Sequence, residues 1–402
     1  MGKKISGAKL ALICGCFLIF LLYAMYFNGF GTNAGNTMEF FSIGEAKNGL
    51  IMTVQAVGCL IVAIILGLYG ERINKIHGIM AGLLVMGGAG ILIGLMPGFT
   101  PPGSGYGLML AFSLIAGVGY ITIDLLMNGL VADVFGDKKT TILPIVHAFY
   151  GAGAMLAPVF VTAVTAPGAG ETFAKPYLII GIASVAVFAA MLFVAKKVTP
   201  ETPYADRAAL KNAAAQNPVE VFKSGKAWLL LLSCFLYLCF QTAISTWMPK
   251  YCTERLGMAY ASAGAMVTAY FLGALVMRLL SPLAYKRISV KNFYIITLAA
   301  SALVFLAFLF VPMPEPWRYA MMVLMGLLQG ASVPGLVLIS CDAFPTRTAS
   351  ASSIIVLGVS LSAFAAPTVL GKLIELSGYQ TAMALATICL PLAIAALLPV
   401  KK

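Results

Sequence analysis

The sequence predicts an all-α membrane protein with twelve transmembrane helices in two six-helix halves. Three observations support this fold class. Of the 402 residues, 61% are hydrophobic and only 10% are charged, whereas a typical soluble domain carries about 25% charged residues. The apolar residues occur in runs long enough to cross a bilayer, which takes about 20 residues per helix. One long polar segment divides these runs into two groups of six.

The composition excludes several other classes of protein. So few charges cannot build the water-exposed surface of a soluble chain of this length, and the apolar content excludes a disordered or fibrous chain. The net charge is +12, from 26 Lys and Arg against 14 Asp and Glu. The basic residues concentrate in the connections that we place inside, which is the positive-inside pattern. We therefore predict that both termini are cytoplasmic and that nucleic acid is not a partner.

Marking the apolar stretches in chain order predicts the individual helices. The outer connections, such as the Pro-rich segment Pro97–Tyr106, carry almost no Lys or Arg, while the inner ones carry Arg72, Lys138 and Lys286. The predicted spans cover about 9–31, 46–69, 78–96, 106–132, 141–165, 176–196, 227–249, 260–284, 291–311, 317–341, 348–371 and 379–399.

The longest polar stretch, residues 197–226, falls between the sixth and seventh spans. Its segment 205–211, Ala-Asp-Arg-Ala-Ala-Leu-Lys, could form a surface helix. We interpret the stretch as a cytoplasmic linker between an N-terminal half, residues 1–196, and a C-terminal half, residues 227–402. Short basic turns follow the second span of each half and indicate a weak internal repeat.

The first of these turns reads Gly67-Leu-Tyr-Gly-Glu71-Arg72-Ile-Asn-Lys75. It resembles the signature of the major facilitator superfamily between its second and third spans, Gly-x-x-x-Asp-Arg-x-Gly-Arg-Arg. The resemblance implies a solute site near the membrane midplane, between the two halves. It also implies a charge clamp that helps to hold the outward-open state, formed by Gly67, Glu71, Arg72 and Lys75. The second Gly of the signature is replaced by Asn74, which also tolerates a left-handed turn.

Motifs in three further spans resemble the fucose–galactose–gluconate proton symporters and their glucose-transporting relatives. That group carries an acid-x-x-x-Asn in span four, Gln-Thr-Ala in span seven and an Arg in span eight. The corresponding residues here are Asp124 with Asn128, Gln241-Thr242-Ala243, and Arg278. The resemblance implies a sugar as the solute.

Three positions depart from the symporter pattern. The symporters have an Asp in span one that takes part in proton coupling, and this chain has Asn33 there. Where they carry a Gln and then an Asn in span five, this chain carries His147 and Tyr150. Coupling and solute could therefore differ from those of the symporters.

Asp124 and His147 are the predicted proton-coupling residues. An ionisable group inside a membrane helix is costly unless it is paired or hydrated, so Asp124 is a candidate for a proton site or a solute hydrogen bond. The alternative is a buried acid paired structurally, for example with Arg278. The imidazole of His147 could carry a proton, because histidine titrates near physiological pH, or it could only form hydrogen bonds.

The predicted solute-binding residues are mostly neutral amides, because amides supply both the donors and the acceptors that sugar hydroxyls need. For each amide, a hydrogen bond between helices is an equal alternative. Trp247 could stack on a sugar or anchor its helix at the membrane interface. Arg278 could bind an anionic group of the solute or hold the inner gate. The full set is Asn28, Asn33, Asn128, Tyr150, Gln241, Trp247, Arg278 and Gln329.

Together these features predict a secondary transporter that moves a small polar solute by alternating access, with a proton as the coupling ion. A sugar is the first candidate solute, and a small organic anion bound by Arg278 is the second. A membrane-embedded enzyme has weak support, because no nucleotide, zinc or nucleophile motif occurs. We expect no cofactor and no metal. The expected partners are the solute, protons and the lipid bilayer of the cell membrane, with the protein a monomer.

Overall fold

The computed structural model describes residues 6–166, 168–205 and 219–400. Eleven segments of this described chain are long and apolar enough to cross a membrane. One of them, Tyr106–Val164, contains two helices that are separated by a turn at Gly136. The protein is therefore all-α, with twelve spans in two groups of six, as the sequence predicts.

The first six spans of the described chain consist of seven α-helices, because the first span is divided at Gly29. In chain order they are α1 (Gly7–Asn28), α2 (Phe30–Phe41), α3 (Glu45–Tyr69), α4 (Lys75–Phe99), α5 (Tyr106–Phe135), α6 (Lys139–Val164) and α7 (Ala174–Val198).

The second six spans follow a short helix. In chain order the helices are α8 (Val219–Lys223), α9 (Gly225–Thr242), α10 (Met248–Leu256), α11 (Tyr260–Ala284), α12 (Val290–Phe310), α13 (Glu315–Gln329), α14 (Ser332–Ala343), α15 (Thr348–Ala386) and α16 (Cys389–Leu397).

Several predicted spans contain breaks that the sequence did not indicate. The first span is interrupted at Gly29 and continues as α2 to Phe41. The seventh contains a five-residue π-helical turn, Ala243–Trp247, between α9 and α10. The tenth is divided between Gln329 and Ser332. In the connection predicted between the eleventh and twelfth spans, α15 continues through a sharp bend at Gly378, whose φ of 77° favours glycine. Hydropathy reports the length of an apolar run, but the breaks depend on local backbone geometry.

The described residues fall into two compact units. Those within 1–136 and 149–217 form unit 1, and those within 137–148 and 218–402 form unit 2. The segment Asp137–Ala148, which includes the start of α6, therefore groups with unit 2, although the chain around it belongs to unit 1. The predicted boundaries of the halves at 196 and 226 stay a prediction, and most of the predicted linker helix lies outside the described residues.

Glycines allow the second and fourth spans of each half to approach closely. In unit 1, α3 packs against α5, and in unit 2, α11 packs against α13. A methyl group added at Gly117 would overlap the carbonyl oxygen of Gln55, and one added at Gly326 would overlap that of Tyr270. The same pairing in both units agrees with the weak repeat in the sequence. It also brings polar side chains of α11 and α13 into contact.

Candidate solute and proton sites

A group that we call the tyrosine–aspartate cluster joins α1, α5 and α6 within unit 1. The rings of Tyr23 and Tyr120 are stacked with their centroids 4.0 Å apart, and Phe27 stacks on Tyr120 at 4.7 Å. The ring of Tyr150 is tilted beside Tyr23 at 5.4 Å. These four rings pack in one continuous group. The members of the cluster are Tyr23, Phe27, Asn28, Tyr120, Asp124 and Tyr150.

Asp124 follows Tyr120 by one helical turn on α5, so the two side chains share a helix face. Its half-buried carboxylate lies close enough to Tyr23, Tyr120 and Cys59 to interact with them electrostatically. None of the ion pairs formed by the described residues includes Asp124. An acid without an ion-pair partner inside a membrane helix is available to a proton or to a donor group of a solute.

The structure separates the predicted amides of unit 1. Asn28, the last residue of α1, donates from Nδ2 to the hydroxyl of Tyr150 at 3.3 Å and so belongs to the cluster. Asn33 is 1% exposed and donates from Nδ2 to the carbonyl of Phe173 at 2.7 Å. Asn128 is equally buried, one turn beyond Asp124 on α5. The hydrogen bond of Asn33 fixes α2 to the segment that contains Phe173. For Asn33 this favours a packing role over solute binding.

The predicted amides of unit 2 meet around Tyr270. The Tyr270 hydroxyl donates to Oε1 of Gln329 at 2.9 Å, and Gln241 interacts with the same hydroxyl. The Tyr237 hydroxyl donates to the backbone carbonyl of Gln329 at 3.3 Å. Within the described part of the chain, the buried Nε2 of Gln329 has no hydrogen-bond partner. Gln241 and Gln329 are thus brought together, with the amide nitrogen of Gln329 unused as a donor.

Arg278 binds backbone carbonyls within unit 2. Its Nε donates to Gly330 at 3.0 Å, and its Nη1 donates to His147 at 3.2 Å. Arg278 therefore ties the start of α6 to the break between α13 and α14. His147 is buried and contributes its carbonyl oxygen to this contact. The geometry favours the structural alternative for Arg278.

Trp247 is the last residue of the π-helical turn. Its ring lies against Gly371 of α15, where an added methyl group would come within 3.0 Å of Cζ2. The indole Nε1 is buried, and among the described residues it has no hydrogen-bond partner. The ring of Trp247 therefore packs within unit 2.

Lys75 is the centre of the charge clamp. This side chain is almost fully buried, and its Nζ lies 2.8 Å from Glu71 and 2.7 Å from Asp133. The hydroxyl of Tyr204 donates to the same oxygen of Asp133 at 2.8 Å, and the Tyr204 ring lies 5.7 Å from Nζ. Burial, together with the charge of Asp133, raises the pKa of Tyr204, so its hydroxyl keeps the proton that it donates. Asp133 and Tyr204 are clamp residues that the motif did not include.

The other predicted clamp residues have different roles. Gly67 is buried in the last turns of α3. Arg72 is exposed and lies over the ring of Tyr69 at 4.9 Å, and no ion pair of the described residues contains it. Asn74 caps α4 by accepting from the backbone N–H of Ile76 at 3.0 Å, with a φ of −67°. Asn74 therefore acts as a helix cap and does not adopt a left-handed conformation.

Tyr204→Phe should lower the stability of unit 1 by about 1–2 kcal/mol. Hydrogen bonds to charged groups contribute about 1.5–3 kcal/mol, and the loss is at the lower end because Asp133 retains its ion pair with Lys75. Thermal unfolding of the purified protein in detergent measures the effect. Tyr106→Phe is the matched control, since it removes an exposed hydroxyl that donates to the neutral carbonyl of Lys47. An equal loss in both variants would contradict a role for Tyr204 in the clamp.

Metal-binding side chains do not gather in the part of the chain that the structure describes, where no group of three or more His, Cys, Asp or Glu could hold an ion. The eight cysteines are free thiols. Five of them are buried, as expected of small packing residues: Cys16, Cys59, Cys234, Cys252 and Cys341.

Twelve spans in two groups of six, with a basic clamp after the second span, define a class of multi-pass membrane transport proteins. The family model of the Major Facilitator Superfamily matches residues 15–367 and, in a second match, residues 253–402. The chain belongs to this superfamily.

A curated protein is similar to the chain in sequence. Bypass of stop codon protein 6 of Saccharomyces cerevisiae is 24% identical over 340 residues, which are 80% of this chain and 64% of the yeast protein. The chain thus spans less than two thirds of that relative's length.

Two solved structures share the fold. The fucose:proton symporter FucP of E. coli is 17% identical, with a TM-score of 0.74 over 98% of this chain and 100% of the other. The proton:xylose symporter XylE, bound to 6-bromo-6-deoxy-D-glucose, is 12% identical, with a TM-score of 0.78 over 96% and 94%. The predicted resemblance to the fucose symporters is confirmed at the level of the fold.

Proposed function

We propose that the protein is a secondary transporter that moves a small, polar, sugar-like solute across the cell membrane by alternating access, coupled to protons. The observation that carries the proposal is Asp124, a half-buried acid inside a span that has no ion-pair partner among the described residues. Titration of such a group can couple proton movement to a conformational change. The similar solved structures are named as proton symporters of fucose and xylose, which supports a sugar-like solute.

The proposed topology places both termini and the charge clamp in the cytoplasm. It rests on the basic residues around the clamp, including Arg72 and Lys75, and on the positive-inside rule. Clamp residues there would favour one of the alternating states without contacting the solute.

Asp124→Asn should abolish the uphill accumulation of solute in response to an imposed pH gradient, because Asn keeps the size of the side chain but cannot titrate. The measurement is uptake into proteoliposomes loaded with purified protein, with the interior made either alkaline or acidic. The solute panel comprises glucose, galactose, glucosamine and gluconate.

Asp137→Asn is the matched control, because Asp137 is exposed in the turn before α6. It should leave accumulation unchanged. Full accumulation by Asp124→Asn would remove Asp124 from coupling and make His147 the next residue to test. A wild-type protein that moves no solute of the panel under any gradient would oppose the proposed function itself.

A small organic anion is the second candidate solute, because Arg278 is a cation inside a span. Its hydrogen bonds to the carbonyls of Gly330 and His147 favour a packing role instead. Arg278→Gln should therefore lower the melting temperature and weaken the binding of gluconate and galactose by the same factor. A selective loss of gluconate binding, absent in the exposed control Arg255→Gln, would support the anion candidate.

A further inference from the structure

The members of the tyrosine–aspartate cluster differ in how accessible they are. Tyr23 and Tyr120 are 3% and 8% exposed and form the buried backing of the cluster. Phe27, Asn28, Asp124 and Tyr150 are half-buried, so each presents part of its side chain to its surroundings. A solute that binds this cluster would therefore meet one ring, one phenol, one amide and one carboxylate.

The polar atoms that this face leaves available are the acceptor oxygens of Asn28 and Asp124 and one donor, the hydroxyl of Tyr150, which accepts from Asn28. Asn28 already uses Nδ2 to donate to the carbonyl of Ala24 at 2.9 Å and to the hydroxyl of Tyr150 at 3.3 Å. Its Oδ1 accepts no hydrogen bond from the described residues, and neither does the carboxylate of Asp124. A sugar hydroxyl needs acceptors and donors in similar measure, whereas an ammonium group has three donors and no acceptor. The hydrogen-bond inventory therefore suits an ammonium group better than a neutral hydroxyl.

The charge and the rings of the face favour the same group. Asp124 is the acid of the cluster, and no Lys, Arg or His of the described chain forms an ion pair with it. The partly exposed ring of Phe27 and the phenol of Tyr150 lie in the same cluster, and the faces of aromatic rings attract cations. An anionic group would instead meet a carboxylate and oxygen acceptors.

We propose that the cluster binds the ammonium group of a hydroxylated primary amine, the class that includes amino sugars, with Asp124 as its counter-ion. The inference rests on the proposed function, since it names the substrate class of the same site. A proton on the carboxylate and an ammonium group paired with it exclude one another. Each amine that binds therefore releases the proton of Asp124 to water, and the coupling is an exchange of amine for proton.

The test compares three probes that differ at one position of the same ring: glucosamine, glucose and N-acetylglucosamine. Isothermal titration calorimetry on the purified wild-type protein in detergent should give an affinity for glucosamine about tenfold or more above that for either neutral probe, because the neutral probes cannot form a charge pair with Asp124. Asp124→Asn should remove this preference, and the exposed control Asp137→Asn should keep it. Tyr150→Phe should keep the preference and weaken binding about threefold, because it removes one neutral hydrogen bond.

Equal or tighter binding of glucose by the wild-type protein would overturn the amine proposal, and so would the absence of glucosamine binding to folded protein. This comparison needs no variant, so it stands even if Asp124→Asn fails to fold. In proteoliposomes, glucosamine should accumulate only when the interior is acidic. Proton-driven accumulation of glucose with an alkaline interior would reject the amine but keep the proposed function, whereas the absence of any gradient-driven transport would reject both.

Discussion

Gly326→Ala is expected to destabilise the protein by about 3 kcal/mol or more, because overpacking a well-packed contact costs about 1–3 kcal/mol and here the clash is with the backbone. The added methyl group would overlap the carbonyl oxygen of Tyr270 and lie 2.7 Å from the amide nitrogen of Ala274. No side-chain rotation relieves a clash with main-chain atoms, so α11 and α13 would have to separate. Their separation would also strain the hydrogen bond from Tyr270 to Gln329.

Gly264→Ala is the matched control for this prediction. Gly264 lies in α11, one of the two helices of the contact, and a methyl group there would meet nothing within 4 Å. This control should be neutral or slightly stabilising, because alanine favours a helix by about 1 kcal/mol over glycine. The two variants are compared by thermal unfolding in detergent. If Gly326→Ala unfolds at the same temperature as Gly264→Ala, the close approach of α11 and α13 is not a constraint on stability.

Hydropathy predicted the number and the order of the spans because the bilayer sets the length of every apolar run. It could not predict the break at Gly29, where the run stays uncharged on both sides. Hydropathy also could not predict the π-helical turn before Met248, because Ala243–Trp247 has the composition of an ordinary helix. These features depend on contacts between helices, such as the ring of Trp247 against Gly371.

The candidate sites were predicted where a residue type is rare in a membrane and missed where it is common. Asp124 is conspicuous because acids are costly inside a span. Its neighbours Tyr23 and Tyr120 are ordinary in an apolar sequence, although the four-residue spacing from Tyr120 to Asp124 places both on one helix face. That spacing was the signal that could have found Tyr120.

Identical amides also took different roles. Asn28 and Asn33 lie five residues apart and have the same chemistry, yet Asn28 reaches Tyr150 while Asn33 holds the carbonyl of Phe173. The break at Gly29 separates them, so that Asn28 ends α1 and Asn33 lies in α2. Sequence alone could not sort them, because both contacts are made to residues more than a hundred positions away.

The clamp shows the same limit with charged residues. The local motif contains Glu71 and Lys75, four positions apart on the chain, and so their ion pair could be predicted. Asp133 lies at the end of α5, 58 positions after Lys75. Tyr204 lies in the segment after α7, 71 positions after Asp133. The only indication of Asp133 in the sequence was its position as an acid near the end of a span.

Lys75→Met is expected to cost about 3–5 kcal/mol of stability, because removing the buried cation leaves the carboxylates of Glu71 and Asp133 without a counter-charge. Lys75 is 2% exposed and neutralises both Glu71 and Asp133. Methionine fills a similar volume, so the loss reports the charge rather than a cavity. Without the ammonium group, two carboxylates would share a site that also contains the ring of Tyr204.

Lys372→Met is the control, because its pair with Glu375 is 68% exposed on both sides and such surface pairs contribute about 0–1 kcal/mol. The decisive variant adds Glu71→Gln and Asp133→Asn to Lys75→Met. If the cost comes from uncompensated charge, neutralising both acids should restore a large part of the free energy of unfolding measured by denaturant titration in detergent. If the triple variant is no more stable than Lys75→Met, the clamp stabilises unit 1 through the packing of the Lys75 stem against Tyr204 instead, and its electrostatic role is refuted.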